Sequence, residues 1–206
     1  MGYYIRVLTP SEGCVAADRL RDTLRDRDPE IVIEAEGEGD WESLRISHPD
    51  REGIVDIERN RVGPGTLGRE ELDEMLDELA GSKPESAARW LAGYLPTVKT
   101  IYAFPVLSGD KRDSRWEVAH AAQEAIWSQT GGVLQADSEG FSNEDGHHIL
   151  WQFSDDVTGP WKMAVLESGR WVRFEMDLGN PEHRSAFLAG RVPDGAKLVG
   201  AGQGDE

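Results

Sequence analysis

"WKMAVLESGRWVRFEM", residues 161–176, holds two apolar-rich runs separated by Ser168-Gly169. A two-residue connection of this kind needs positive φ, which glycine supplies without a steric penalty, so the stretch predicts a β-hairpin. In its second run Val172, Phe174 and Met176 fall on one side, while Arg173, Glu175 and Asp177 fall on the other. One wet face and one dry face mark an antiparallel sheet covered on a single side. The expected fold class is therefore α+β: antiparallel sheets with helices packed on one face, not a doubly wound parallel sheet.

The same period runs outward from the hairpin. "YYIRVL" (3–8), "EIVIEAE" (30–36), "SLRIS" (43–47) and "GIVDIER" (53–59) alternate apolar and polar residues, and "HPDREG" (48–53) suits a hairpin turn. "VKTIYAFPVL" (98–107) has an unbroken apolar centre, the mark of a strand covered on both faces. "GVLQAD" (132–137) and "HILWQF" (148–153) read as two further strands. The period changes to that of a helix in "CVAADRLRDTLRD" (14–26), with Ala16, Leu20 and Leu24 on one stripe. It changes again in "REELDEMLDELAG" (69–81), which ends on Gly81. "SKPESAARWLAGYL" (82–95) and "SRWEVAHAAQEAIWSQTGG" (114–132) each open with a Ser-x-x-Glu capping box. Asn180, with Pro181 after it, caps a short last helix, and "AGQGDE" (201–206) reads as a frayed tail.

Laid side by side, residues 1–96 and 97–206 share an order. It suggests two similar β-α-β-β-β-α halves, an internal duplication, packed tightly as one globular unit because no flexible linker separates them.

Composition narrows the function classes. The 206 residues carry 39 acidic and 22 basic side chains, a formal net charge of −17. Residues 1–100 hold 22 acids and 13 bases, and residues 101–206 hold 17 and 9, so the charge is spread and is not a tail. Such a field repels phosphate backbones and anionic lipid, which argues against nucleic acid and membrane partners. It favours encounter with a basic protein. Cys14 is the single cysteine, which excludes an internal disulfide and a cysteine-based zinc site. The opening "MGYYIRVLTP" has no apolar signal core, and no run is long enough to span a bilayer. A cytoplasmic setting is expected. Oligomeric state is not legible.

Three stretches carry candidate chemistry. "GPGTLG" (63–68) matches G-x-G-x-x-G between a strand and a helix, but Glu70 and Glu71 put negative charge where a pyrophosphate would sit. Asp56 and Glu58 alternate in the strand before it, and a second helix follows, so a Gly/Pro-rich connection is the better reading. "DSEGFSNEDGHH" (137–148) gathers four carboxylates, an asparagine and two histidines. If the preceding strand persists, Asp137 and Glu139 share a face, and with Asp145 and one of His147 or His148 they form a donor set for a divalent metal. "NEDG" within it is equally good turn sequence. "SDDVTGPWK" (154–162) sets Trp161 beside a Gly-Pro turn with Asp155 and Asp156, the composition of a binding hot spot for a basic surface. Trp161 folded back onto the sheet is the competing reading. No G-x-S-x-G, P-loop or HExxH pattern occurs.

These observations favour a non-catalytic acidic protein that binds a basic protein partner, in the manner of an inhibitor or an immunity protein. Trp161 would be the anchor, with Asp155, Asp156, Glu144 and Asp145 steering the encounter, and no cofactor is needed. The alternative is a metal-dependent hydrolase or metal-binding protein using a divalent ion on Asp137, Glu139, Asp145, His147 and His148. An enzyme needs those carboxylates to converge in a pocket; a binding protein needs them splayed over an open surface.

Overall fold

The structure is a computed structural model and describes residues 3–37, 40–49, 51–106 and 114–200; the side chains of 51–54, 106 and 114–116 are outside the description. The tail 201–206, the Ser114 side chain of the expected capping box and Asp50 of the expected "HPDREG" turn lie outside the description. In chain order the elements are β1 (Tyr3–Thr9), α1 (Ala17–Arg25), β2 (Val32–Glu36), β3 (Ser43–His48), β4 (Arg51–Arg61), α2 (Leu67–Glu78), α3 (Glu85–Tyr94), β5 (Thr100–Val106), α4 (Ser114–Thr130), β6 (Val133–Ala136), β7 (Gly140–Ser142), β8 (His148–Trp151), β9 (Pro160–Glu167), β10 (Arg170–Asp177), α5 (Pro181–Leu188) and β11 (Lys197–Leu198). The class is α+β, and the strand pairing is mostly antiparallel. Among the described residues no helix is long and apolar enough to cross a membrane.

The chain divides into two compact units that interleave in sequence: 1–73 with 97–137, and 74–96 with 138–206. The first unit therefore takes in β5, α4 and β6 from beyond residue 96, and the boundary is not a single cut there. Its six strands lie in the order β6-β1-β5-β4-β3-β2. β6 and β2 hold the same place in the chain order of the two sequence halves, yet β6 pairs with β1 and, among the described residues, β2 pairs with β3 alone.

One face of that sheet presents Val7, Ile33, Leu44, Ile46, Ile57, Tyr102 and Phe104. They pack with Leu20 and Leu24 of α1 and with Ala121, Ala122, Ala125 and Ile126 of α4. The strand period of two and the helix period of 3.6 each deliver their apolar side to one layer, which is why these runs fold together.

α1 starts three residues later than the apolar period suggests, because sheet side chains hold the chain ahead of it. Thr100 Oγ1 donates to Ser11 O at 2.9 Å, Tyr102 OH to Gly13 O at 3.2 Å and Trp41 Nε1 to Val15 O at 2.7 Å. Arg59, 4 % exposed, donates to Trp41 O, Glu12 O and the Asp40 carboxylate. Carbonyls committed in this way are not available to begin a helix at Cys14. Val15 is buried in place of the expected Ala16.

The second unit orders its strands β11-β10-β9-β8-β7, with β8 and β9 parallel through His148↔Met163. The 161–176 hairpin forms as expected, with Ser168 at φ 49° and Gly169 at φ 78°. Phe174 and Met176 join Met163, Val165, Phe153, Leu178 and Phe187 of α5 in a core. On the alternate positions Trp171 meets Trp90 of α3 edge-on at 5.2 Å. Helices thus lie against both faces here, where the sequence pattern indicated one.

Three local expectations change. The box at Ser82 does not form: α3 begins at Glu85 after Pro84, and Ser82 Oγ instead donates to Glu78 O at 2.9 Å. β7 and β11 are strands too short for any period to reveal. β7 exists because Gly140, φ 112°, lets the chain lie against β8; a β-carbon there would sit 2.3 Å from Leu150 O.

Candidate functional site

The 137–148 stretch divides between the units. Asp137 belongs to the first, at the end of β6, where it accepts from Tyr4 N at 3.0 Å and from Arg6 Nη1 at 2.6 Å. Arg6 also donates to Gln135 Oε1 at 2.7 Å and pairs with Glu71 at the start of α2. Burial works against the Arg6 charge, but Glu71 and Asp137 outweigh it and hold the guanidinium above its ordinary pKa. Asp137 is thus engaged in fastening β1 to β6. The strand does not persist: Ser138 turns the chain at φ 63°, so Asp137 and Glu139 do not share a strand face.

From Ser138 onward the residues build a closed hairpin in the second unit. Asn143, fully buried, accepts on Oδ1 from Asp145 N at 3.1 Å and His147 N at 2.9 Å, and its own N–H donates to His147 O at 2.9 Å. This is the turn chemistry that "NEDG" promised. Asp145 faces outward and pairs with Arg173 at 3.3 Å. His147 and His148 occupy opposite sides, as consecutive strand residues must. His147 is held below the ordinary imidazole pKa by burial and by Arg173.

His148 stacks on Phe153 at 4.9 Å, meets the Trp161 edge at 5.0 Å and shares a 3.0 Å hydrogen bond between Nδ1 and Ser142 Oγ. Burial pushes its pKa down to about 4, so the ring is neutral in the native protein at neutral pH. Its Nε2 lies 3.9 Å from Glu139 Oε2, beyond hydrogen-bonding distance.

Among the described residues no group of three or more His, Cys, Asp or Glu side chains is disposed to hold a metal ion. On this geometry, millimolar Mg²⁺, Mn²⁺ or Zn²⁺ is expected to move the melting temperature by less than about 1 °C, whereas a site filled at a hundredfold excess over its dissociation constant would raise it by about 5–10 °C. Thermal unfolding with each cation decides between the two.

Trp161 is half-buried. Its ring lies against Phe153 at 4.7 Å as well as His148, on the edge of the second unit's core. Its neighbours in sequence behave differently. Asp155, Asp156 and Glu144 are exposed, with Ser154 Oγ donating to Asp156 at 2.5 Å. Arg184 pins the loop, donating to Asp155 O at 2.9 Å and Val157 O at 2.6 Å. At "GPGTLG", Thr66 stands just before α2 and its Oγ1 accepts from Gly63 N at 3.0 Å and Arg69 N at 3.3 Å. Those donors serve the turn itself. Cys14 is half-buried, and burial raises its pKa, which leaves the thiol protonated.

A further carboxylate group emerges only when the strands are laid side by side. The register sets Glu34 beside Arg45 and Arg45 beside Asp56 in one row, and Glu36 beside Ser43 and Ser43 beside Glu58 in the next. All four carboxylates are exposed, on the face of β2-β3-β4 opposite Ile33, Leu44, Ile46 and Ile57. Arg45 is the one basic side chain in these rows. Its Nε donates to Asp56 Oδ1 at 2.7 Å, and that bond, with the charges of Asp56, Glu36 and Glu34, raises its pKa. Each strand's alternation was visible in the sequence. That β2 lies on the far side of β3 from β4 was not, so the two acidic pairs could not be joined.

Comparison of the chain with family models, with curated proteins and with solved structures finds no match. Fold and site together define an α+β protein of mostly antiparallel strands whose first unit presents an open, carboxylate-lined sheet face.

Proposed function

We propose that this chain is a non-catalytic, cytoplasmic binding protein for a basic protein partner, comparable in its physics to an inhibitor or an immunity protein. The observation that carries the reading is the β2-β3-β4 face, where Glu34, Glu36, Asp56 and Glu58 stand exposed around a single Arg45. Carboxylates splayed over a sheet bind by complementarity; they do not converge on a reacting atom. The remaining excess of acids, with Asp155, Asp156 and Glu144 among them, supplies a long-range field that steers a cation-rich surface inward. Trp161, set into the edge of the second unit's core, supports His148 and Phe153. The single cysteine suits a reducing compartment.

The test compares the wild-type chain with Glu34→Lys/Glu36→Lys/Asp56→Lys/Glu58→Lys as baits in a pull-down from source-cell extract. The expected result is a basic protein held by the wild type at low salt, released as salt rises, and absent from the variant. With the purified partner, the association rate on the variant should fall by at least about tenfold. Identical captures by both baits would overturn the reading.

A further inference from the structure

We propose that the outer edge of β2 takes up an extended basic segment of the partner as an added strand of the first unit's sheet. This rests on the acidic-face reading above and adds the mode of capture. β2 closes the strand order of its unit and, among the described residues, pairs with β3 alone. Among the described residues, its one backbone hydrogen bond outside that ladder is from Glu42 N to Glu36 O, at the turn leading to β3.

Edge strands are commonly protected by proline, by inserted lysine, by a bulge or by a covering segment. Val32–Glu36, Val-Ile-Glu-Ala-Glu, has no proline, glycine or lysine, and its register with β3 runs without a shift. Val32, 39 % exposed, is a large apolar side chain left at the start of this edge. The backbone is therefore in the form that strand addition uses, its N–H and C=O groups along one side unpaired among the described residues.

The side chains select the occupant. A strand laid on β2 sends alternate residues to the face that carries Glu34 and Glu36, one strand spacing away, with Asp56 and Glu58 two strands further in. Lysine or arginine at every second position meets those carboxylates, and Arg45, already bonded to Asp56, offers little opposition. A second copy of the chain pairing β2 with β2 would set Glu34 and Glu36 against the same residues of its twin, and like charges across a strand pair repel. The chemistry is that of an extended segment with basic residues at alternating positions.

The experiment uses the full chain and two fluorescent probes: a short peptide of alternating lysine and valine, and its twin methylated on alternate backbone nitrogens. Methylation removes the donors that strand pairing needs and leaves the charge unchanged. Binding is read by anisotropy, and amide exchange of Val32 to Glu36 is read by NMR. The expected result is that the parent binds and slows exchange in β2, while the methylated twin binds at least about tenfold more weakly, the loss set by two or more ladder hydrogen bonds. Equal binding of both, lost together in Glu34→Gln/Glu36→Gln/Asp56→Asn/Glu58→Gln, would overturn strand addition and leave the acidic face standing. Binding of neither peptide would overturn both.

Discussion

Gly132→Ala is expected to destabilise the protein by about 4 kcal/mol, whereas Gly131→Ala, one residue earlier, costs about 1 kcal/mol. Both glycines have positive φ, 64° at Gly131 and 105° at Gly132, yet their surroundings differ. Gly131 ends α4, donates to Trp127 O at 2.7 Å, and a β-carbon there meets nothing within 4 Å. Its conformation is the left-handed one that closes many helices, which alanine adopts at a modest cost. At Gly132 a β-carbon would lie 2.3 Å from Leu8 O and 3.0 Å from Thr9 Cα. Neither atom can retreat. Leu8 is in β1, paired on one side with Ile101 and on the other with Val133, and Thr9 Oγ1 donates to Thr130 O at 2.9 Å. The φ itself lies where essentially only glycine is found, so strain and overlap add. Urea unfolding of the two variants checks the contrast. Equal losses would mean that α4 does not hand over to β6 against the backbone of β1.

That junction shows how legible the fold was. "TGG" at 130–132 reads as a helix stop, which is local chemistry, and α4 ends there. What the second glycine touches depends on β1, some 120 residues earlier, and no period in the sequence reports it. The same division holds elsewhere. The 161–176 hairpin and the Asn180 cap are written in neighbouring residues, and both form as read. β11 and the parallel pairing of β8 with β9 depend on partners further along the chain, and β7 is too short for any period to show. The late start of α1 depends on Trp41, Arg59 and Tyr102, none of which lies near residues 14–16 in sequence.

Site residues follow the same rule. Asn143 could be read as a turn former, because its partners Asp145 and His147 are its neighbours. Asp137 pairs with Arg6, 131 positions away, a contact no local pattern reports, so the sequence alone groups it with the carboxylates nearest to it. The two rows on β2, β3 and β4 were legible as alternation and illegible as a surface. Short strands of one sheet share a face only once their register is fixed.

Stability should fall by about 3 kcal/mol between pH 7 and pH 4 on account of His148 alone. The unfolded chain takes up a proton on this imidazole near its ordinary pKa of about 6.5. The native ring, buried beside Phe153 and Trp161, resists until about 4. Across that interval the unfolded state binds more protons, so acidification favours it, and stability declines by up to about 1.4 kcal/mol per pH unit. Above about pH 6.5 the contribution is complete; below about 4 both states are protonated and the loss stops growing.

The window separates this effect from that of the carboxylates. Asp156, bonded by Ser154, and Asp177, bonded by Gly179 N and Gly159 N, have depressed pKa values, and their contribution is lost only as pH falls below the ordinary aspartate range. Glu139 Oε2, 3.9 Å from His148 Nε2, is beyond hydrogen-bonding distance, and burial alone sets the shift of the ring. His147 shifts in the same direction and adds to the slope. Protonating the surplus acids relieves their mutual repulsion and acts in the opposite sense, but equally in wild type and variant, so the difference between them isolates the histidine. His148→Asn, whose amide group stands where Nδ1 does and can still bond Ser142, should flatten the wild-type slope between pH 6.5 and 4 by close to one proton, as measured by urea unfolding at half-unit steps. Parallel curves for the two proteins would mean that His148 titrates alike in folded and unfolded chains. The ring would then have to face water, not the aromatic edge of the second unit's core.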